Sequence, residues 1–395
     1  MLYLASVVDI PCTDSGTLGG TRHVVEVAGN LVRLGLDVTV FCRGKGHGAE
    51  WMEHENLKVR RLYRGSSTTV ATEHAGMTAF SKRAIRTPLL WGTRLLQSLD
   101  DAVKIVRWAR INKVDVIYER INRFSVAGTM ASKISGIPLV AEVNDLNFHD
   151  ISLKRASAIV VPEPRSLKQK FRHKAFQLSW GVDTERIRPL TPCREIKDRL
   201  GLNDSPTVMF VGSFLPWHGA VSLVKAAPFV CERHPEAKFV MIGAGPDEAR
   251  TRDEIRSLGL EEFFIFMGYV PHDEISRYLF AGDVMVAPYT SELGAQQGRA
   301  EMGRSFKVLE YMAAAKPVVV TAVANRSGLI EHGRTGLVIA NDGPEALAVA
   351  INCLLKDPAR AKAMGERGRK VVEANHTWQR HAEAIKEIFQ NVIAA

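Results

Sequence analysis

The chain has 395 residues, 46% of them apolar and 24% charged, and a formal net charge of +9. This length exceeds the size at which one hydrophobic core keeps growing, so we expect two domains of about 200 residues or slightly fewer. No apolar run reaches the roughly 18 residues that a membrane-spanning helix needs, so we expect no such helix.

The positive charge predicts an anionic partner, and a phosphorylated small molecule, an anionic membrane surface and a nucleic acid all fit it. Without a basic run of five or more residues or interleaved aromatics, nucleic acid is disfavoured. Residues 1–12 lack the features of a signal peptide, so we expect a cytoplasmic protein. Peripheral contact with the inner face of the membrane is compatible with this location. The five cysteines show neither disulfide nor zinc spacing, and we expect reduced thiols and no structural zinc site.

Short β-branched apolar runs alternate with amphipathic helices along the whole chain. Strands are predicted at residues 2–8, 37–42, 115–119, 137–143, 158–162, 207–212, 238–243, 263–268, 284–289, 317–322 and 335–340. Runs that are apolar on both faces and alternate with helices are typical of parallel sheets covered on both sides. The sequence therefore predicts an α/β protein of two doubly wound domains.

The predicted domain limits follow a change in composition. Proline, glycine and charged residues collect in residues 181–206, as in an exposed connector. We place an N-terminal domain at 1–186 and a C-terminal domain at 187–375. Residues 376–395 are predicted as one amphipathic helix.

Residues 64–111 are rich in arginine, lysine and apolar side chains. They are interpreted either as an ordinary surface helix pair or as a basic, apolar surface that meets an anionic bilayer or holds an acceptor.

Candidate ligand sites follow the strands, because open parallel sheets bind ligands beyond the carboxyl ends of their strands. Gly19 and Gly20 open a helix after the first strand, where a glycine lets the backbone approach a ligand. Asn144, Asp145 and His149 follow a buried strand and are candidates for proton transfer or for binding sugar hydroxyls. A purely structural role stays open for both groups.

Two further candidates come from the second half. Ser213 and His218 lie in a glycine-bracketed loop, where His218 either donates to a phosphate or holds the turn. Tyr269 and Val270 follow a strand directly, and their main-chain groups either read a base edge or form a plain turn.

The strongest candidate is the segment "RSFKVLE", residues 304–310. Ser305 is an N-cap candidate, so a helix is predicted to begin near Phe306 with free amides that favour a diphosphate. Arg304 and Lys307 add positive charge at the same end. Glu310 lies one turn further on, where a carboxylate can accept from ribose hydroxyls, although a Lys307–Glu310 surface pair is the alternative.

Five stretches follow one another in a characteristic order: "GTLGGTRHVVEVAGNLVRLGLDVTV", "FVGSFLPWHG", "FVMIGAGPDEA", "FMGYVPHDEISRYLFAGDVMVAPY" and "SFKVLEYMAAAKPVVVTA". Through them the sequence resembles the GT-B glycosyltransferases of family 4. It also departs from the family. Met302 replaces the first glutamate of an E-x7-E pair, Asn144 stands where a histidine is common, and Ser213 and His218 replace Arg and Lys. The stretch between "EVND" and "RASAIVV" is shorter than is common in the family.

The resemblance implies two Rossmann-like domains that face an interdomain cleft, with the last helix crossing back to the N-terminal domain. It implies retaining sugar transfer from a nucleoside diphosphate sugar, for which we favour UDP over GDP, to a lipid-linked or small-molecule hydroxyl, with no cofactor or metal.

By the resemblance, Glu310 holds the ribose, the amides at Ser305 and Phe306 hold the distal phosphate, and Gly19 and Gly20 approach the donor or acceptor. The Tyr269–Val270 backbone meets the base. We take Asp145, His149 and Lys307 as the catalytic candidates, and Asn144, Ser213, His218 and Arg304 as further substrate contacts.

Two alternatives stay open. One is a nucleotide-sugar epimerase or hydrolase of the same architecture, and the other is a non-catalytic module that binds an anionic lipid or polymer. A dehydrogenase is disfavoured because Glu248 stands where the third glycine of a dinucleotide fingerprint belongs.

Overall fold

The computed structural model describes residues 2–9, 19–43, 56–61, 98–121, 126–143, 150–188, 194–290, 305–325, 327–340 and 343–395. The chain divides into two compact units, one of residues 1–179 with 378–395 and one of residues 180–377. The sequence predicts limits after residues 186 and 375.

The first unit contains a seven-stranded parallel sheet among its described residues. Its strands are β1 Leu2–Asp9, β2 Val38–Arg43, β3 Leu57–Arg61, β4 Ile117–Ile121, β5 Leu139–Val143, β6 Ala158–Val161 and β7 Ala175–Gln177. They lie in the order β3-β2-β1-β4-β5-β6-β7. Since the chain builds outward from β1 in one direction and then in the other, the sheet is doubly wound, as predicted.

The helices of the first unit are α1 Gly19–Arg33, α2 at residues 98–111, α3 Ala127–Ser135, α4 Asp150–Arg155 and α12 Trp378–Ala394. The predicted apolar stripe of α12 is buried at Trp378, Ala382, Ile385 and Phe389. Phe389 meets the ring of Tyr118 on β4 edge to face, with centroids 5.5 Å apart. The last helix of the chain therefore packs into the core of the first unit.

The second unit contains a six-stranded parallel sheet among its described residues. Its strands are β8 Thr207–Val211, β9 Lys238–Ile242, β10 Phe264–Gly268, β11 Val284–Ala287, β12 Val318–Thr321 and β13 Leu337–Ile339. They lie in the order β10-β9-β8-β11-β12-β13. The helices are α5 Arg194–Arg199, α6 Ala220–Cys231, α7 Glu248–Ser257, α8 His272–Leu279, α9 Phe306–Ala313, α10 Pro344–Lys356 and α11 Pro358–Asn375.

The core of the second unit covers both faces of this sheet. Successive residues of β8 belong to different clusters: Phe210 packs with Phe239 and Ile351, and Met209 packs with Val240 and Tyr311. This alternation is the period of two that a strand imposes on its side chains. It explains why consecutive positions of these strands are apolar, as in the run "VMFV" of β8.

The edge strands β3 and β7 are absent from the sequence prediction. β3 reads "LKVRR" and β7 has only three residues, so neither forms an apolar run. Charged and very short edge strands are common because they discourage pairing with another chain.

Among the described residues, no helix is both long enough and apolar enough to cross a membrane.

Glycines bring the carboxyl ends of three strands of the second unit together. Gly212 and Gly243 follow β8 and β9 with φ values of +143° and +125°. The amide of Gly212 donates to the carbonyl of Ile242 at 2.9 Å, and the amide of Gly243 donates to the carbonyl of Gly268 at 2.7 Å. A Cβ on Gly243 would lie 2.1 Å from the Gly212 oxygen, so only glycine fits at this position. We call this close approach of the backbones at Gly212 and Gly243 the glycine crossing.

We predict that Gly243→Ala lowers the free energy of unfolding by about 3 kcal/mol or more, because backbone strain and a clash with a neighbouring carbonyl act together. Gly259→Ala is the matched control, since Gly259 also has positive φ (+65°) but open space around its Cβ position. We expect this control to lose only about 1 kcal/mol. Urea unfolding of both variants measures the difference, and equal losses would contradict the crossing.

Candidate functional site

The N-terminus of α9 is the centre of the candidate site. Ser305 has an extended conformation and α9 begins at Phe306, as predicted. The Ser305 hydroxyl makes no capping bond to the helix; it accepts instead from the Tyr289 hydroxyl at 3.0 Å. The Phe306 ring stacks on Trp180, with centroids 4.0 Å apart. The helix tip is thus fixed by two aromatic side chains, and the Val308 amide in its first turn donates to the Ser305 carbonyl at 3.1 Å.

Lys307 lies in an unusual environment for a lysine. Its side chain is buried, and Nζ lies 4.6 Å from the Phe210 ring centroid and 4.9 Å from that of Tyr289. Nζ has no hydrogen-bond partner among the described residues. A Cβ on Gly212 would lie 2.6 Å from Nζ, so the glycine creates the space for the amine.

Burial lowers the pKa of Lys307 from the ordinary 10.5 to about 7, while the negative charge of Glu310 acts in the opposite direction. A buried amine is easier to keep neutral than charged, because the ammonium loses its hydration. The alternative of an exposed Lys307–Glu310 pair is therefore wrong.

Glu310 is held by a residue that the sequence analysis missed. Its Oε1 lies 2.7 Å from Nε2 of His272, the first residue of α8. The Glu310 side chain is 12% exposed and that of His272 is 34% exposed. The only sequence signal for His272 is its place after Pro271 at a helix start, which says nothing about a partner 38 residues away.

Ser213 and His218 form a closed turn beside the helix tip. His218 Nδ1 lies 2.6 Å from the carbonyl oxygen of Ser213, and a carbonyl can only accept, so Nδ1 carries the proton. Burial and the charge of Lys307 hold the pKa of His218 far below its ordinary value, against the hydrogen bond to Ser213. The imidazole is neutral and its Nε2 can only accept, which favours the turn-holding role over donation to a phosphate.

Tyr269 and Val270 follow β10 at a turn through Gly268, whose φ is +65°. The Tyr269 side chain is 60% exposed, whereas Val270 is buried.

The remaining sequence candidates lie elsewhere. Gly19 and Gly20 are the first two residues of α1 in the first unit. Asn144, Asp145, His149 and Arg304 lie outside the described residues.

A buried polar cluster includes Glu142, near the end of β5 in the first unit. His23 Nε2 lies 2.9 Å from Glu142 Oε1, and His381 Nδ1 donates to the Ser179 carbonyl at 2.8 Å. Burial alone would raise the pKa of Glu142, but the attraction and hydrogen bond of His23, with smaller effects of Arg120 and His381, lower it overall.

Nitrogen or oxygen atoms of His23, Glu142 and His381 lie within 4.8 Å of one another. Among the described residues, these three side chains form the group that could hold a metal ion. The Trp378 ring packs edge-on against both imidazoles. Because Glu142 and His23 already bond each other, we interpret the cluster as structural. Its polar contacts connect β5, α1 and α12.

Comparisons with known proteins give the following matches. Residues 193–371 match the family model described as glycosyl transferases group 1. The chain is 32% identical over 216 residues to the GDP-mannose-dependent alpha-(1-6)-phosphatidylinositol monomannoside mannosyltransferase of Mycobacterium tuberculosis, covering 54% of this chain and 55% of that protein. It is 24% identical to the D-inositol 3-phosphate glycosyltransferase of Pseudarthrobacter chlorophenolicus, covering 96% of this chain and 92% of that one.

Among solved structures, Anabaena HepE in complex with UDP and glucose aligns with a TM-score of 0.70 at 18% identity, covering 98% of each chain. The fold is GT-B. The match to the mycobacterial mannosyltransferase spans about half of that protein's length. Together the matches support the resemblance to group 1 glycosyltransferases that the sequence motifs carry.

We predict that Lys307→Met raises the free energy of unfolding by about 2 to 4 kcal/mol at pH 7. The lysine is protonated in the unfolded chain up to about pH 10.5, whereas the folded site disfavours the proton above pH 7, so folding is weakened at neutral pH. The gain should shrink as the pH rises from 7 towards 10.5.

Denaturant unfolding at several pH values measures this gain. Lys362→Met, at a lysine that is 79% exposed on α11, is the control and should change little. A destabilised Lys307→Met protein would contradict the interpretation.

Proposed function

We propose that the chain is a retaining glycosyltransferase that moves a sugar from a nucleoside diphosphate sugar to an acceptor hydroxyl. The observation that carries the proposal is the tip of α9, where a buried lysine amine without a hydrogen-bond acceptor among the described residues lies one turn before a partly exposed carboxylate. A nucleoside diphosphate carries both groups that this arrangement can bind, an anion and a pair of vicinal hydroxyls.

The diphosphate is proposed to bind at the amides of the first turn of α9, near Ser305 and Phe306. A helix N-terminus carries partial positive charge and points free N–H groups at a bound anion. Lys307 adds a full charge at this end when its amine is protonated, and charge-assisted hydrogen bonds to phosphate are about twice as strong as neutral ones. Arg304 is a further proposed contact.

The ribose is proposed to bind Glu310. His272 bonds Oε1, which fixes the carboxylate and leaves lone pairs of Oε2 to accept from ribose hydroxyls. The turn at Tyr269 and Val270 is proposed to meet the base through main-chain groups. We favour uridine, and guanosine is the second candidate because the mycobacterial relative is named for its dependence on GDP-mannose.

In the proposed reaction, the bond between the sugar and the diphosphate breaks while the acceptor oxygen attacks the same face of the sugar. The departing phosphate oxygen takes the proton of the acceptor hydroxyl. Lys307 and the helix amides stabilise the negative charge that develops on the leaving diphosphate, which is where electrostatic catalysis is most effective. Because these groups supply positive charge, the proposed reaction needs no metal step.

The acceptor side is proposed to lie in the first unit. Gly19 and Gly20 at the start of α1 are proposed contacts to the donor or acceptor, and Asn144, Asp145 and His149 stay predicted contacts or proton carriers.

A cytoplasmic protein with peripheral membrane contact through residues 64–111 fits a lipid-linked acceptor. In the described part of this segment, Leu99, Val103 and Ile111 of α2 are 44%, 63% and 72% exposed. A small-molecule hydroxyl is the other proposed acceptor.

We predict that Glu310→Ala raises the dissociation constants of UDP-sugars and GDP-sugars about 10- to 100-fold. A hydrogen bond to a charged group contributes about 1.5 to 3 kcal/mol, which corresponds to this factor. Thermal-shift titrations with UDP, GDP and their sugars measure it, since a ligand that binds the folded state raises the melting temperature.

Glu366→Ala is the matched control, because Glu366 is 55% exposed on α11. Unchanged nucleotide affinity in Glu310→Ala would remove the ribose role. Turnover of the donor with no acceptor present would favour an epimerase or hydrolase over a transferase.

A further inference from the structure

The state of the Lys307 amine in the empty site has a consequence for ligand binding. A protonated Nζ would be a buried ammonium with three donors and no acceptor among the described residues. The faces of Phe210 and Tyr289 attract a cation, but such contacts replace only part of its lost hydration. The geometry therefore favours the neutral amine until a counter-charge arrives.

No neighbouring group among the described residues supplies that counter-charge at short range. Burial raises the pKa of Tyr289 to about 12, and the Tyr289 hydroxyl donates to Ser305. Burial likewise raises the pKa of Tyr311, whose hydroxyl bonds Val211. His218 is neutral beside the helix tip.

Glu310 is the charged group on α9 itself, and its carboxylate is engaged by His272 on α8. Phe210 and Gly212, on β8 and the loop after it, carry no charge. A diphosphate bound at the tip of α9 would add negative charge close to the amine.

We infer that a nucleoside diphosphate binds this site together with one proton, which Lys307 Nζ takes from solvent to become the ammonium partner of the phosphate. This inference rests on the proposed diphosphate site. The proton adds to the lone pair of Nζ, and no bond of the nucleotide breaks. The site thereby selects a ligand with enough negative charge to stabilise the ammonium form of a buried amine.

The proton linkage has a defined sign and pH range. In the empty protein the pKa of Lys307 is about 7, and a phosphate beside the amine raises it. The affinity for the nucleotide should then be highest near pH 7 and fall by about tenfold per pH unit above it. The fall ends where the pH reaches the pKa of Lys307 in the complex. The terminal phosphate of the nucleotide titrates near pH 6, so it adds no slope at pH 8.

The test is isothermal titration calorimetry with UDP and with GDP at pH 8, in Tris and in HEPES, whose ionisation enthalpies differ. The dependence of the measured heat on the buffer gives the number of protons taken up. We expect an uptake of most of one proton for each nucleotide bound, because an amine whose pKa lies below the pH is mostly neutral before the ligand binds. The dissociation constant should rise about tenfold between pH 8 and pH 9.

Two variants assign the proton. Lys307→Met should bind nucleotide more weakly, with no proton uptake and with a dissociation constant that changes little with pH. Lys362→Met, at an exposed lysine, should keep both the uptake and the pH dependence of the unaltered protein. Unfolding of each variant at pH 8 shows whether it is folded, and Lys307→Met is expected to be at least as stable as the unaltered protein.

The outcomes separate this inference from the proposed function. Nucleotide binding without proton uptake at pH 8 would overturn the inference and leave the diphosphate site in place. Uptake that persists in Lys307→Met would also overturn it, because the proton would then bind elsewhere. No binding of UDP, GDP or their sugars would overturn the proposed function itself.

Discussion

Burial of the Lys307 amine is the physical constraint on which the candidate site depends. A protein interior tolerates an amine only if it is neutral or has a counter-charge, and here the described residues provide no acceptor. The space exists because Gly212 has no Cβ, and Gly212 is held in turn by its bond to the end of β9. The glycine contact that joins the ends of β8 and β9 thus leaves room for the amine, at the position where we propose that an anion binds.

Most of the fold could be predicted from the sequence because its signals are local. Apolar runs of four to six residues, such as "VVVT" in β12, are buried on both faces and alternate with helices, which is enough to predict parallel sheets. The edge strands β3 and β7 were not predictable, because half-exposed or very short strands lack that signal. The order of the strands within a sheet also depends on contacts between segments that are far apart in sequence, such as the pairing of β1 with β4.

The candidate site was predictable only in part, for the same reason. Ser305 at the helix boundary and Glu310 one turn later follow from the spacing within one helix. The partners of these residues come from other elements: Tyr289 is 16 residues from Ser305, and His272 is 38 residues from Glu310. The sequence suggested either a phosphate contact or a surface pair for Lys307, and only the packing against Gly212 shows that the amine is buried.

The charge state of Lys307 can be read directly by NMR of protein labelled with ¹³C at the lysine Cε. The Lys307 signal is identified by its loss in Lys307→Met. In the empty protein at pH 8 it should have the chemical shift of a neutral amine, and saturating UDP or GDP should move it to the position of an ammonium. A Lys307 signal that is already that of an ammonium in the empty protein, or that does not move when a nucleotide binds, would contradict the central role given to this residue.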